Sequence, residues 1–170
     1  MMILGIDPGL ENTGWAVIKD GRLVGVGVIL TSKKDSSQAR LKKIYEEIQK
    51  IIKKEKVNVV SMESLFFAKN AKSALEVAEA IGVIKIAAED LKVAVFEYTP
   101  LQIKMALVGY GRAEKEQVEV MVRQSLGIEE NIKPSHASDA VAAALTHEYT
   151  SSFVRDNKMK GEVFNYWTEG

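Results

Sequence analysis

An Asp-Gly pair at positions 20 and 21 stands between two strand-like runs, Gly14 to Lys19 and Arg22 to Leu30. Both turn residues tolerate positive φ, as a two-residue hairpin requires, so the two runs pair antiparallel. Upstream, Ile3-Leu4-Gly5-Ile6-Asp7 is a short apolar run that ends in a carboxylate before Pro8-Gly9. It reads as a buried strand with Asp7 near its end. The first thirty residues therefore predict an antiparallel meander of three strands.

Ser36-Ser37 can cap the next element, in which Leu41, Ile44, Tyr45, Ile48, Ile51 and Ile52 recur at helical spacing. Val57 to Met62 reads as a fourth strand, with Glu63 at its C-terminal end. A strand, a crossing helix and another strand predict a parallel neighbour for strand one, joined by a right-handed crossover. Asp7 and Glu63 then converge at one sheet end, where open α/β sheets place their ligands. Ser64 to Lys69 is a loop carrying Leu65, Phe66 and Phe67, and Asn70 can cap a helix from Ala71 to Asp90. That helix is apolar on more than one side, so its second face needs cover, from the same chain or from a second copy. Val93 to Tyr98 is the fifth strand, and Thr99-Pro100 opens a short helix to Val108. A basic, aromatic-bearing loop, Gly109 to Arg112, leads to a helix from Ala113 to Leu126 that Gly127 terminates. Residues 1–150 are expected to form one domain, and 151–170 a tail that docks weakly or orders only against a neighbour.

The last expected helix spans residues 133–149. Pro134 suits its first turn. His136 and Asp139 are three apart and share a face, which continues through Ala140, Ala143 and His147. The small residues permit close approach to another element. Asp is a poor mid-helix residue, so Asp139 within an alanine-rich run points to function. His147 is read as structural.

Composition narrows the chemistry. The 170 residues contain no cysteine, which excludes disulfides, thiolate metal sites and cysteine nucleophiles. Neither a membrane span nor a signal peptide is legible, so a cytoplasmic protein is expected. The 23 basic and 23 acidic residues cancel, which speaks against nonspecific coating of nucleic acid. Acidic metal ligands and a basic track on one face would cancel in the same way.

The order β-hairpin-β, helix, β, helix, β, then helices is that of a ribonuclease-H-like fold. It implies a five-stranded mixed sheet, with β1-β2-β3 antiparallel and β4 and β5 parallel to β1, flanked by helices. Asp7, Glu63 and Asp139, with His136, would ring one or two divalent cations. Two carboxylates 4 Å apart repel by roughly 1 kcal/mol in water and about 4 kcal/mol at an effective dielectric of 20. A hard cation removes that penalty, and Mg²⁺ suits an open site that keeps waters and accepts phosphate oxygens. Two such ions about 4 Å apart suit phosphodiester hydrolysis.

The sequence also resembles a known family. Gly5-Ile6-Asp7-Pro8-Gly9-Leu10 with Thr13-Gly14 is similar to the opening motif of the RuvC family of Holliday junction resolvases. The run from Glu63 through Phe66-Phe67-Ala68-Lys69-Asn70-Ala71-Lys72-Ser73-Ala74 resembles that family's second motif. Phe96-Glu97-Tyr98, Val108-Gly109-Tyr110-Gly111 and Ala113-Glu114-Lys115 resemble its third region. Ala137-Ser138-Asp139-Ala140 with Ala144-Leu145-Thr146-His147 resembles the last. The resemblance implies a homodimeric, Mg²⁺-dependent endonuclease that nicks two strands of like polarity at a four-way DNA junction, and a partnership with the RuvA-RuvB branch-migration complex. It places the metal site on Asp7, Glu63, His136 and Asp139. The third position is most often Asp in the family. Histidine there brings one less negative charge and favours Mn²⁺ relative to Mg²⁺, so Mn²⁺ can substitute. A ligating imidazole must be deprotonated, so activity is expected to fall as pH drops through roughly 6 to 7.

By the same resemblance Phe66 is the wedge that enters a base stack, and Phe67 belongs to the core. Lys104 and Lys115 match basic positions tied to DNA contact or catalysis, and Lys69, Lys72 and Arg112 are further candidates for phosphate contact. Each of these basic residues also has an ordinary solvated reading. Three other functions remain open at this point. Actin-like ATPases and sugar kinases share the Gly-x-Asp-x-Gly opening but need a second domain to close on ATP. The Phe-Phe-Ala-Lys-Asn-Ala-x-Ser-Ala run favours the RuvC family over a YqgF-like nuclease acting on or near RNA. A DNA-structure-binding dimer without chemistry would not need four metal ligands.

Overall fold

In a computed structural model the protein is described over residues 1–64 and 71–159. Three strands come first: β1 (Met2–Asp7), β2 (Asn12–Lys19) and β3 (Arg22–Leu30). Asp20 and Gly21 turn the hairpin with φ of 49° and 74°, the doubly left-handed geometry expected of Asp-Gly. Helix α1 (Ser37–Glu55) crosses to β4 (Val59–Glu63), and α2 (Ala71–Glu89) crosses to β5 (Ala94–Tyr98). Helices α3 (Pro100–Val108), α4 (Lys115–Leu126) and α5 (Ser135–Met159) complete the chain's described elements.

The sheet order is β3-β2-β1-β4-β5. β1 pairs antiparallel with β2 and parallel with β4, and β4 pairs parallel with β5. This is the mixed sheet expected for a ribonuclease-H-like fold. α1 and α2 pack on one face, where Ile44, Ile48, Ile84 and Ala87 meet Leu4, Ile6, Val17, Val60 and Met62. α3, α4 and α5 pack on the other, where Ile103, Val122, Val141 and Leu145 meet Ile3, Ala16, Ile18 and Val59. Alternate residues of each inner strand thus serve opposite layers, as the two-residue strand period requires.

α5 lies across β1 and β2 at very short range. A Cβ on Gly5 would stand 2.0 Å from the Ala140 carbonyl oxygen, and a Cβ on Gly14 would stand 1.9 Å from the His136 carbonyl oxygen. The small-residue face of α5 therefore meets glycines on the strands. Ser61 Oγ fastens the contact by donating to the Ala143 carbonyl at 2.6 Å.

Three expectations need correction. The fourth strand starts at Val59 instead of Val57, because the Val57 N–H closes α1 on the Ile52 carbonyl and the Asn58 N–H donates to Met2. α5 starts at Ser135, after Pro134, whose carbonyl accepts the Ala137 N–H at 2.9 Å. α5 then runs to Met159, so the expected tail boundary at 150 falls inside a helix. Nothing between Ser135 and Met159 is Gly or Pro, and the polar run there carries no obligatory stop. Among the described residues no helix is long and apolar enough to cross a membrane.

Candidate active site

Asp7 and Glu63 end adjacent parallel strands, with Ile6 facing Met62 in the register. Both carboxylates therefore emerge at one sheet end. Asp7 is paired across β1 and β2 with Gly14, the residue on which the His136 backbone rests. The first turn of α5 is thereby held beside Asp7. His136 Nδ1 lies 2.7 Å from Asp7 Oδ2. With Asp7 ionised the imidazole must donate at Nδ1, which leaves Nε2 as an open donor to a metal. One turn on, Asp139 Oδ2 accepts from Lys115 Nζ at 2.8 Å, and Lys115 is the first residue of α4.

The acidities report crowding. Burial pushes Glu63 up from the usual 4.5 to about 7, and the charges of Asp7 and Asp139 push the same way, with Lys115 and Lys104 opposing them. Asp7 is also raised, first by burial and then by Asp139, against the hydrogen bond from His136. Burial lowers Lys115, but the hydrogen bond and charge of Asp139 more than offset that, and its net shift is upward. Three carboxylates that feel one another, together with an imidazole, form a donor set for a hard divalent ion. Among the described residues no three such groups close on a common metal position as placed. The local reason is visible: the Lys115 ammonium sits on Asp139, and the imidazole sits on Asp7.

His136 thus lies against Asp7, and Asp7, Glu63 and Asp139 stand within electrostatic reach of one another. Lys104, on α3, and Lys115 are close enough for their charge to be felt at Glu63. Arg112 lies on the turn between α3 and α4. Phe66, Phe67 and Lys69 lie outside the described residues, as does the side chain of Lys72. His147 matches its structural reading: it is 6% exposed, its Nδ1 is 2.8 Å from the Tyr98 hydroxyl, and Phe96 packs on its ring at 4.6 Å. The roles of Gly5 and Gly14 as landing points for α5 escaped the sequence reading, although both stand in the opening motif.

A family model described as "Crossover junction endodeoxyribonuclease RuvC" matches residues 3–147. A protein of that name from Fusobacterium nucleatum is 44% identical over 151 residues, covering 86% of this chain and 80% of its own length. Its namesake from Natranaerobius thermophilus is 43% identical, with coverage of 86% and 94%. Among solved structures, RuvC of Thermus thermophilus in complex with a Holliday junction substrate superposes with a TM-score of 0.86 at 35% identity, covering 90% of this chain and 96% of that one.

Proposed function

The chain belongs to the RuvC family of crossover junction endodeoxyribonucleases, enzymes that resolve Holliday junctions, and we propose that it cuts through Asp7, Glu63, His136 and Asp139 acting as one metal-binding set. The observation that carries this reading is the mutual electrostatic effect of Asp7, Glu63 and Asp139, brought together from two strands and a helix. Metal dependence belongs to the family, and Mg²⁺, two per site, with Mn²⁺ as a substitute, is the proposed identity. Such ions stabilise charge developing on a phosphodiester and lower the pKa of a bound water.

The chain's own residues have the following parts. Asp7, Glu63 and Asp139 supply oxygen ligands. His136 supplies Nε2 and is oriented by the Asp7 carboxylate. Lys115 neutralises Asp139 in the metal-free site. Its ammonium, 2.8 Å from Asp139, would also stabilise negative charge developing on a phosphate held at this site. Lys104 adds positive charge felt at Glu63, and Arg112, Lys69 and Lys72 are the further residues proposed for phosphate contact. Phe66 serves as the wedge at the junction's open centre. Paired nicks of like polarity leave ends that can be ligated.

Symmetric nicking calls for two copies. α2 exposes Leu75 (68%) and Ile86 (57%) with Gly82 open between them, beside a groove of about 250 Å³ that includes Leu41, Tyr45 and Val83. This stripe supports a homodimer built on α2. Ile86→Asp is expected to convert a dimer to a monomer in sedimentation velocity, since it places a charge in an apolar contact. An unchanged dimer would move the interface elsewhere. Cytoplasmic location and a partnership with the RuvA-RuvB complex are part of the proposal on family grounds.

The test is a synthetic four-way junction with each strand labelled in turn, incubated with Mg²⁺, with Mn²⁺ or with chelator. Nicks in two opposing strands are expected with either metal, and none with chelator or on linear duplex. Tight junction binding without nicking under both metals would favour a binding module. Binding should also weaken as salt rises, because phosphate contacts release counterions.

A further inference from the structure

The turn that follows Asp7 is fastened by residues from other parts of the chain. Thr13 Oγ1 donates to the Gly9 carbonyl at 2.6 Å. The Thr31 N–H donates to the Glu11 carbonyl at 3.0 Å, and the Thr31 hydroxyl donates to the Leu10 carbonyl. Thr31 Oγ1 in turn accepts from Arg40 Nε at 2.9 Å. Arg40 belongs to the inward row of α1, Arg40, Ile44, Ile48 and Ile52, and is only 9% exposed. Its Nη2 is buried without a partner among the described residues.

A guanidinium can only donate. Facing Thr31, it obliges the hydroxyl to accept there and directs the single hydroxyl proton to Leu10. An apolar side chain would pack α1 without the cost of burying a charge that pairs with no carboxylate among the described residues. A buried guanidinium nitrogen left unpaired in a native core calls for a reason. Here the reason lies three residues from Asp7, since Leu10 is itself buried and anchors the far end of the turn.

We propose that Arg40, through Thr31, is a positioning residue for Asp7: the relay fixes the turn at 8–12 so that the Asp7 carboxylate is presented to the cation shared with Glu63 and Asp139. This rests on the metal-site reading above.

The test uses the full chain with Arg40→Met, Thr31→Val and Thr31→Ser. Two quantities are measured: the Mn²⁺ concentration at half-maximal thermal stabilisation, and kcat and KM for junction nicking. Arg40→Met should melt no lower than the wild type without metal, because a buried charge becomes a packed apolar chain. Its Mn²⁺ midpoint should rise about tenfold, the usual scale for losing a residue that orients a ligand. Its kcat should fall about tenfold with KM for the junction unchanged. Thr31→Val should follow in both readouts, and Thr31→Ser, which keeps the hydroxyl, should restore both to within about twofold. A wild-type Mn²⁺ midpoint in Arg40→Met overturns the relay, and so does a lower melting temperature with unchanged kcat. If the wild-type chain nicks no junction, the proposed function fails, and the Mn²⁺ midpoints still decide the relay.

Discussion

Replacing Glu63 with glutamine is expected to cut junction nicking by roughly a thousandfold while making the metal-free protein more stable above pH 7. Both effects come from one carboxylate. Burial, then the charges of Asp7 and Asp139, hold its pKa at about 7, against 4.5 ordinarily. A carboxyl raised in this way favours the fold when protonated. Its contribution is complete below about pH 4.5 and is lost as pH climbs through about 7. Asp7 is shifted in the same direction. At pH 8 the wild type therefore holds an ionised, poorly solvated group that glutamine lacks. Melting temperatures without metal should fall from pH 5 to pH 8 in the wild type and fall less in Glu63→Gln. Added Mg²⁺ should stabilise the wild type more at pH 8 than at pH 6, because loading must expel the proton. Parallel pH profiles for the two proteins would mean that Glu63 is not the strained group.

Gly14→Ala should lower nicking about a hundredfold in a protein that still folds. The new Cβ would lie 1.9 Å from the His136 carbonyl oxygen and 2.4 Å from its carbon. Both are backbone atoms, so no rotamer change relieves the contact, and the start of α5 must lift. That breaks the 2.7 Å contact between His136 and Asp7 and carries Asp139 away from the strands. Misplacing catalytic groups by about 1 Å can cost a hundredfold, and overpacking of this kind destabilises by about 1–3 kcal/mol. Circular dichroism with a nicking assay separates the two effects. Wild-type kcat in a folded Gly14→Ala protein would show that β2 does not set the position of His136.

The sequence made the sheet legible because its signals are local. Asp20-Gly21 fixed a hairpin, and apolar runs ending in Asp7 and Glu63 fixed which sheet end carries charge. The spacing of His136 and Asp139 fixed the helix face. What stayed hidden depends on contacts between distant segments. Arg40 occupies the buried row of α1, although an arginine in an amphipathic helix is ordinarily read as surface. Gly5 and Gly14 look like ordinary strand glycines until α5 is laid across them. The pairing of Lys115 with Asp139 joins two helices through side-chain geometry that no spacing rule encodes. The length of α5 was missed because Tyr149-Thr150-Ser151-Ser152 looks like a helix end. Those residues are weak helix formers, but none of them breaks a helix that tertiary packing already supports.

The separation of the ligands along the chain has a consequence for biosynthesis. Asp7 and Glu63 sit on strands whose second face is covered by α5, and α5 also brings the last two proposed ligands, His136 and Asp139. Domains take shape as they leave the ribosome, N-terminal parts first. A nascent chain that has released only its first 130 residues includes α1 to α4 but lacks α5, and it carries two of the four proposed metal-site residues. Completion of the proposed metal-binding set therefore waits for α5, and a product terminated before Ser135 lacks His136 and Asp139.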